Sequence, residues 1–331
     1  MSTSKRVIGP HLQLGQGLLK AADRAQVIGA NAVQVFTDNP VAWRRREDLP
    51  PELPEFRQRL AAAGIDNIAV HAPYLVNLCG ANDDFWARSV ATMAHELVVG
   101  RAYGAQGVVM HIGSHNGLER EEGIKRLVRG LAAVLEKADA AADATEPADA
   151  TAPADGPLPR LVLENAAGTG DGIGSSLEDL AEILGAADAA GVALARLGVC
   201  LDTAHLWGGG YDIGSPTWIE WFSQRAERLI GRENVVMLHL NDSRVELGSR
   251  RDRHEHVGAG KIGTDGLREL LNHPWLRTLP TFLETPGMDA GYDAINLERA
   301  LMLADGQELP VLPVEAFNLR RGAARSAPPA A

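Results

Sequence analysis

The sequence is short of cysteine, of positive charge and of long apolar runs. Its two cysteines, Cys79 and Cys200, cannot form a disulfide framework. Both sit in apolar surroundings that suit a reducing compartment, so a cytoplasmic protein is expected. No stretch approaches the ~18 consecutive apolar residues of a membrane-spanning helix, so no membrane partner is expected. Met1 to Arg6 is polar and no apolar h-region follows, so no secretory signal is expected. The formal net charge of −11 excludes binding to nucleic acid through bulk positive charge. It leaves room for a local basic patch, and bound cations would reverse the sign at a site. There is no internal repeat, and no G-x-G-x-x-G turn follows the first apolar run.

The 331 residues, 45% of them hydrophobic, suffice for a sizeable core. Short apolar runs recur at Arg6–Gly9, Ala32–Thr37, Ile68–Ala72, Gly107–Ile112, Leu161–Glu164, Leu197–Leu201, Val235–Leu240 and Thr281–Glu284. Such runs fit strands buried on both faces. Amphipathic stretches separate them. Leu18, Leu19, Ala22, Ala25 and Ile28 share a helical face, as do Val90, Met93, Ala94, Leu97 and Val98, and Ile124, Leu127, Val128, Leu131 and Leu135. Ser175-Ser176-Leu177-Glu178 reads as a capping box. Eight such alternations predict an α/β fold, a (β/α)8 TIM barrel in a single domain over residues 1–319, with a doubly wound sheet as the alternative. Residues 138–159, rich in Ala, Asp, Pro and Thr, read as a flexible insertion on the far side from an active site, and 320–331 as a disordered tail.

The chemistry lies at the ends of the apolar runs. The third ends in His71, the fourth in His111, the fifth in Glu164, the sixth in Asp202 with His205 three residues on, the seventh in His239 and the eighth in Glu284. In a barrel these ends meet at one mouth. Singly, each has a plain structural role open to it: a hydrogen-bonded histidine, or a carboxylate capping the next helix. Together they are costly to bury without cations. The loop Gly248–His256 adds Asp252 and His254, two apart and able to point the same way in an extended chain. Taken alone that loop would pass for a solvated charged segment. Five histidines and four carboxylates exceed what one zinc takes, so two or three ions with a bridging carboxylate are expected. A nitrogen and oxygen donor set without thiolate favours Zn, Mn or Fe. Multi-metal sites suit displacement at phosphorus. Arg250, Arg251 and Arg253 would supply local positive charge, Arg253 being the best placed to touch a phosphate.

From about Val7 to Leu303 the chain resembles the endonuclease IV family of trinuclear-zinc apurinic/apyrimidinic endonucleases. The resemblance rests on Val70-His71-Ala72-Pro73-Tyr74-Leu75-Val76-Asn77-Leu78, Met110-His111-Ile112-Gly113-Ser114-His115 and Leu163-Glu164-Asn165-Ala166-Ala167-Gly168. It continues in Val199-Cys200-Leu201-Asp202-Thr203-Ala204-His205, Leu238-His239-Leu240-Asn241-Asp242, and the Asp252/His254 loop with Val257-Gly258-Ala259-Gly260-Lys261-Ile262-Gly263. The resemblance implies that His71, His111 and Glu164 hold one ion. A second would lie on Glu164, Asp202, His239 and Glu284, and a third on His205, Asp252 and His254. It implies about three zinc ions per chain and hydrolysis of the phosphodiester 5′ to an abasic site in double-stranded DNA. The product would carry a 3′-OH, as in base excision repair. Glu284 and Glu164 would carry the reaction, and the enzyme would be a monomer.

Tyr74 matches the aromatic that enters the lesion. Val41 departs from the pattern: the family often carries Arg or Gln there. An apolar wedge remains open to it, with Arg44, Arg45 and Arg46 expected on phosphates. Gly9-Pro10-His11-Leu12-Gln13 also lacks the family's small polar residue after the histidine. Two other function classes compete. A sugar isomerase or epimerase on the same barrel would need one or two ions and no Asp252/His254 pair. A non-catalytic binding descendant would have no need of nine ligands.

Overall fold

A computed structural model describes residues 6–144 and 156–319. Its parallel strands are β1 (Ile8–Leu12), β2 (Ala32–Val35), β3 (Asn67–His71), β4 (Gly107–His111), β5 (Arg160–Glu164), β6 (Leu197–Asp202), β7 (Val235–His239) and β8 (Thr281–Leu283). Each pairs with its successor, and β8 returns to β1 through Ile8↔Thr281, Gly9↔Phe282 and Pro10↔Leu283. The barrel is therefore closed, and the open doubly wound sheet is excluded. Helices α1 (Leu18–Val27), α2 (Leu53–Ala62), α3 (Asp83–Tyr103), α4 (Arg120–Ala144) and α5 (Leu177–Ala189) follow the first five strands. Then come α6 (Thr203–Gly208), α7 (Pro216–Leu229), α8 (Gly263–Asn272) and α9 (Tyr292–Ala304). Among the described residues no helix is long and apolar enough to cross a membrane.

The period of two in a strand divides the barrel residues between two cores. Ala32, Ala69, Val109, Val162, Cys200, Met237 and Phe282 form a buried cluster of their own, the barrel's interior. Their neighbours one residue on, including Val33, Val70, Met110, Leu163, Leu201, Leu238 and Leu283, pack outward against the helices. Two residues beyond each interior position the chain faces inward again. Those next positions are Gln34, His71, His111, Glu164, Asp202, His239 and Glu284. One layer of the barrel is thus apolar and the layer above it carries the polar side chains. Gly9 permits the closure: a Cβ there would lie 1.6 Å from the Ala32 carbonyl oxygen.

Three expectations are corrected. Residues 138–144, read as the start of an insertion, continue α4 to Ala144, and 145–155 and the tail 320–331 lie outside the described residues. The α5 cap is Ser176, whose hydroxyl accepts from Asp179 N at 3.0 Å. The reciprocal partner is Asp179, accepting from Ser175 N at 3.1 Å, one residue on from the expected Ser175/Glu178 pair. Arg45, expected on a phosphate, is turned inward. It pairs with Glu96 of α3 at 3.3 Å and donates to the carbonyls of Asn39 (3.0 Å) and Ala42. The Thr37 hydroxyl donates to the same carboxylate at 2.6 Å, and Tyr74 N donates to Pro40 O at 3.0 Å. The loop that follows β2 and presents Val41 is therefore braced from beneath by a buried ion pair.

Two outcomes follow from this packing. Gly9→Ala is expected to lower the unfolding free energy by at least ~1–3 kcal/mol through backbone overlap, read from the denaturant midpoint; an unchanged midpoint would show that β1 and β2 part without strain. Burial pushes the Glu96 carboxyl up to about 7 from its ordinary 4.5, against the pull of Thr37 and Arg45. The folded chain holds that proton more tightly than the unfolded one. The resulting stability is full below 4.5 and is lost as pH rises through about 7. The Tm difference between Glu96→Gln and the wild type should therefore move in the variant's favour across that window. A flat difference would mean that Glu96 titrates alike in both states.

Candidate metal centre

Strand register gathers the inward polar layer at the C-terminal mouth. His71, His111 and Glu164 bring ligand atoms within 4.8 Å of one another, as do Glu164, Asp202, His239 and Glu284, and as do Asp202, His205 and His254. Glu164 belongs to the first two groups and Asp202 to the last two, so two carboxylates lie between neighbouring groups. Asp252 stands against the third group, its carboxylate 3.3 Å from His205 Nε2 and 3.1 Å from His254 Nε2. Its loop is pinned by an antiparallel two-residue ribbon, Asp242↔Glu255 and Ser243↔His254. The Asp242 carboxylate secures that ribbon by accepting from the backbone of Ser243, Gly260, Ile262 and Gly263.

The tautomers decide what the mouth can hold. His71 Nδ1 lies 2.7 Å from Ala72 O, His205 Nδ1 2.8 Å from Asn165 O and His254 Nδ1 2.9 Å from Glu284 O. A carbonyl only accepts, so each of these nitrogens carries a hydrogen. In the neutral ring the other nitrogen is then a bare lone pair, and each faces a carboxylate. His71 Nε2 is 3.3 Å from Glu164 Oε2, and the other two face Asp252. His239 is the mirror case. Its Nε2 bonds Gln34 Oε1 at 2.9 Å, leaving Nδ1 toward Glu164 Oε1 at 3.0 Å and Glu284 Oε2 at 3.2 Å. Lone pairs opposed to carboxylate oxygens at these distances call for positive charge between or upon them. Two further observations agree. Among the described residues, His254 Nε2 is buried with no well-aligned donor or acceptor, only the Asp252 carboxylate 3.1 Å away. Burial opposes protonation of His254, yet Asp202 and Asp252 push it up to about 9. Glu284 is likewise drawn two ways: burial would raise it, but His239 and His11 hold its carboxyl well below the usual range. Imidazole and carboxylate donors, with His71, His205, His239, His254, Asp202 and Glu284 each oriented by a further bond, fit divalent transition metals at all three groups.

Asp202 also performs the capping role open to it, since its Oδ1 accepts from His205 N at 2.8 Å. Oδ2 is left for the site, fixed by Asn241 Nδ2 at 2.6 Å. Four orienting residues were absent from the sequence reading of the site: His11, Gln34, Asn165 and Asn241. Asn165 accepts from Asp202 N at 2.6 Å, and Asn241 accepts from Glu284 N at 2.9 Å. His11 and Gln34 could have been found by the period of two, since both lie on the inward face of their strands.

A cavity of about 1400 Å³ opens over the groups, with Tyr74, Arg253, Thr285 and Met288 in its wall. Tyr74 is 54% exposed at the rim, its ring 5.9 Å from that of His111, and Val41 stands out at 66%. The arginines divide. Arg253 is exposed beside the cavity and Arg251 is exposed, but Arg250 donates to Gly168 O at 2.7 Å and so serves the loop. Arg46 pairs with Asp38 at 3.1 Å.

Residues 22–307 match the family described as xylose isomerase-like TIM barrel. A probable endonuclease 4 from Halothermothrix orenii is 34% identical over 295 residues, covering 88% of this chain and 99% of its own. One from Chloroflexus aurantiacus is 33% identical, covering 91% and 99%. The crystal structure of endonuclease IV from Thermus thermophilus superposes with a TM-score of 0.74 at 32% identity, covering 91% of this chain and all of that one. A D-tagatose 3-epimerase-like protein, at 15% identity and a TM-score of 0.62, shares the fold. With relatives of that identity along nearly its whole length, the chain belongs to the endonuclease IV family of xylose isomerase-like TIM barrels.

Proposed function

We infer that the protein is a metal-dependent endodeoxyribonuclease that hydrolyses the phosphodiester 5′ to an abasic site in duplex DNA, leaving a 3′-OH, as a monomer acting in base excision repair in the cytoplasm. The observation that carries this reading is the set of imidazole lone pairs facing Glu164, Glu284 and Asp252 across one mouth. Such a set has three groups to fill, more than the one or two ions a sugar isomerase requires. We assign His71, His111 and Glu164 to the first ion, Glu164, Asp202, His239 and Glu284 to the second, and His205, Asp252 and His254 to the third, all zinc. Bound there, the ions would acidify water and neutralise charge building on phosphate oxygens.

The chain's own groups do the rest. Glu284 is the open carboxylate of its group, with 14% of its side chain exposed against none for Glu164, Asp202 and His239. We assign it to orient the attacking water and take up its proton. Glu164 stays charged: burial opposes this, but His239 and His111 hold it well below the usual carboxylate range. Tyr74 and Val41 at the rim fit a damaged strand whose abasic sugar leaves the stack at little cost. Val41 acts as an apolar wedge. Arg253, beside the cavity, contacts the backbone phosphate.

Incision of a duplex oligonucleotide carrying one tetrahydrofuran abasic analogue tests the reading. Cutting 5′ to the lesion is expected, lost on chelation and restored by zinc, with about three zinc equivalents per chain. An inert, fully metal-loaded protein would sink it. Glu284→Gln should reduce kcat by about 10²–10⁴-fold while leaving DNA binding within a few fold. Retention of near-normal turnover would remove Glu284 from the reaction.

A further inference from the structure

Among the anchored imidazoles, His239 is held differently from the rest. His71, His205 and His254 are oriented by backbone carbonyls. His239 is oriented by a side chain, that of Gln34, which is fully buried on β2. Gln34 has no ligand role in the family groups named above, yet both ends of its amide are engaged. Its Oε1 lies 2.9 Å from His239 Nε2, its Nε2 lies 2.7 Å from Glu284 Oε1, and the same Nε2 lies 3.0 Å from His11 Nδ1.

We propose that Gln34 is a positioning residue that selects the metal-facing nitrogen of His239 and the metal-facing oxygen of Glu284. The argument turns on which way the amide can point. Reversing it would set the amide oxygen 2.7 Å from a carboxylate oxygen, two acceptors with no hydrogen between them. Glu284 therefore forces the amide nitrogen toward itself, and the amide oxygen must face His239. An oxygen there accepts, so His239 carries its hydrogen on Nε2. Its Nδ1 lone pair then points at Glu164 Oε1, Glu284 Oε2 and Asp202 Oδ2, at 3.0, 3.2 and 3.9 Å. Glu284 is sorted in the same way. Its Oε1 accepts from Gln34, with His11 Nδ1 3.2 Å away, which leaves Oε2 on the side of His239 and Glu164. One amide thus fixes two of the four donors in the Glu164/Asp202/His239/Glu284 group. Its bonds go to His239, Glu284 and His11, and to none of His71, His111, His205, Asp252 and His254.

The inference rests on the metal reading given under Proposed function, and the test separates the two. Gln34→Met keeps the length of the side chain and removes both polar atoms. Metal content per chain is measured on wild type and variant across a graded chelator series. One equivalent of the wild-type complement should weaken by about 10–100-fold in the variant, with the others unchanged. In parallel, long-range ¹H–¹⁵N correlation on the zinc-loaded wild type should show His239 protonated at Nε2 and metal-bound through Nδ1. A purely structural role would weaken all equivalents alike or none. Unchanged affinity for every equivalent in Gln34→Met, or a wild-type His239 protonated at Nδ1, overturns the proposal. The tautomer measurement decides the matter even where the variant does not fold. A wild type that binds no zinc overturns the metal reading itself, and the proposal with it.

Discussion

The constraint on which the rest depends is the burial of Glu164 among imidazoles, two of which, His71 and His239, have their hydrogens engaged elsewhere. A fully buried carboxylate loses several kcal/mol of hydration and must recover it from charge or from donors. Two of the nearest rings do not supply donors. The hydrogen of His71 goes to Ala72 O, and that of His239 goes to Gln34. The nitrogens left facing Glu164 are acceptors unless something positive joins them. The backbone after β3, the amide on β2 and the carboxylate on β5 therefore turn the lone pairs of His71 and His239 toward Glu164, an arrangement that positive charge between them would satisfy. This is why the orienting bonds matter as much as the ligands: without the carbonyl of Ala72, His71 could turn its N–H to Glu164 and the demand for metal would fall away.

The barrel's arithmetic explains how much of this was legible in the sequence. Strand order, closure and the polar residue closing each of strands three to eight follow from short apolar runs ending in His, Asp or Glu. Gln34 and His11 escaped for two reasons. Glutamine is not a ligand type. The apolar run that marks β1 was read as ending at Gly9, whereas the strand runs to Leu12. Parity would have recovered both, since Gln34 lies two residues beyond the interior Ala32, as His71 lies two beyond Ala69. The end of α4 was misjudged because amphipathic period and helix propensity are separate signals. The apolar face fades past Leu135, but Ala138–Ala144 is mostly alanine, which needs no buried face to stay helical. The inward turn of Arg45 was illegible, because the carboxylate that draws it in is 51 residues away.

The charge balance looks different once the groups are placed. A chain of net charge −11 is a poor match for DNA as a whole. Its mouth concentrates carboxylates that the proposed divalent ions would outweigh, so the local field there would oppose the global one. Of the arginines near the mouth, Arg45 is buried against Glu96, Arg46, Arg244 and Arg250 are tied to Asp38, Glu255 and Gly168 O, and Arg251 and Arg253 are exposed. The positive charge available to a phosphate backbone is therefore narrow and lies beside the metal groups. Such an arrangement favours a strand already led to the centre over one bound along the surface.

The third group shows how far the barrel alone goes. Gln34, His71, His111, Glu164, Asp202 and His239 come from strands, and Glu284 directly follows one, so any closed barrel with this register places them. Asp252 and His254 come from a loop, and nothing in the strands fixes that loop. It is held by the ribbon His254–Glu255 against Asp242–Ser243, by the Asp242 carboxylate gathering four backbone amides, and by bonds to Trp207 O, Gly208 O, Gly168 O and Glu284 O. The third group is thus a module added to a two-group barrel, stabilised by its own polar network rather than by the core. Losing the Asp242 bonds would loosen the turn after the ribbon, the side of the third group that the barrel does not hold. The barrel-borne residues of the first two groups, and Gln34 beside them, would keep their places.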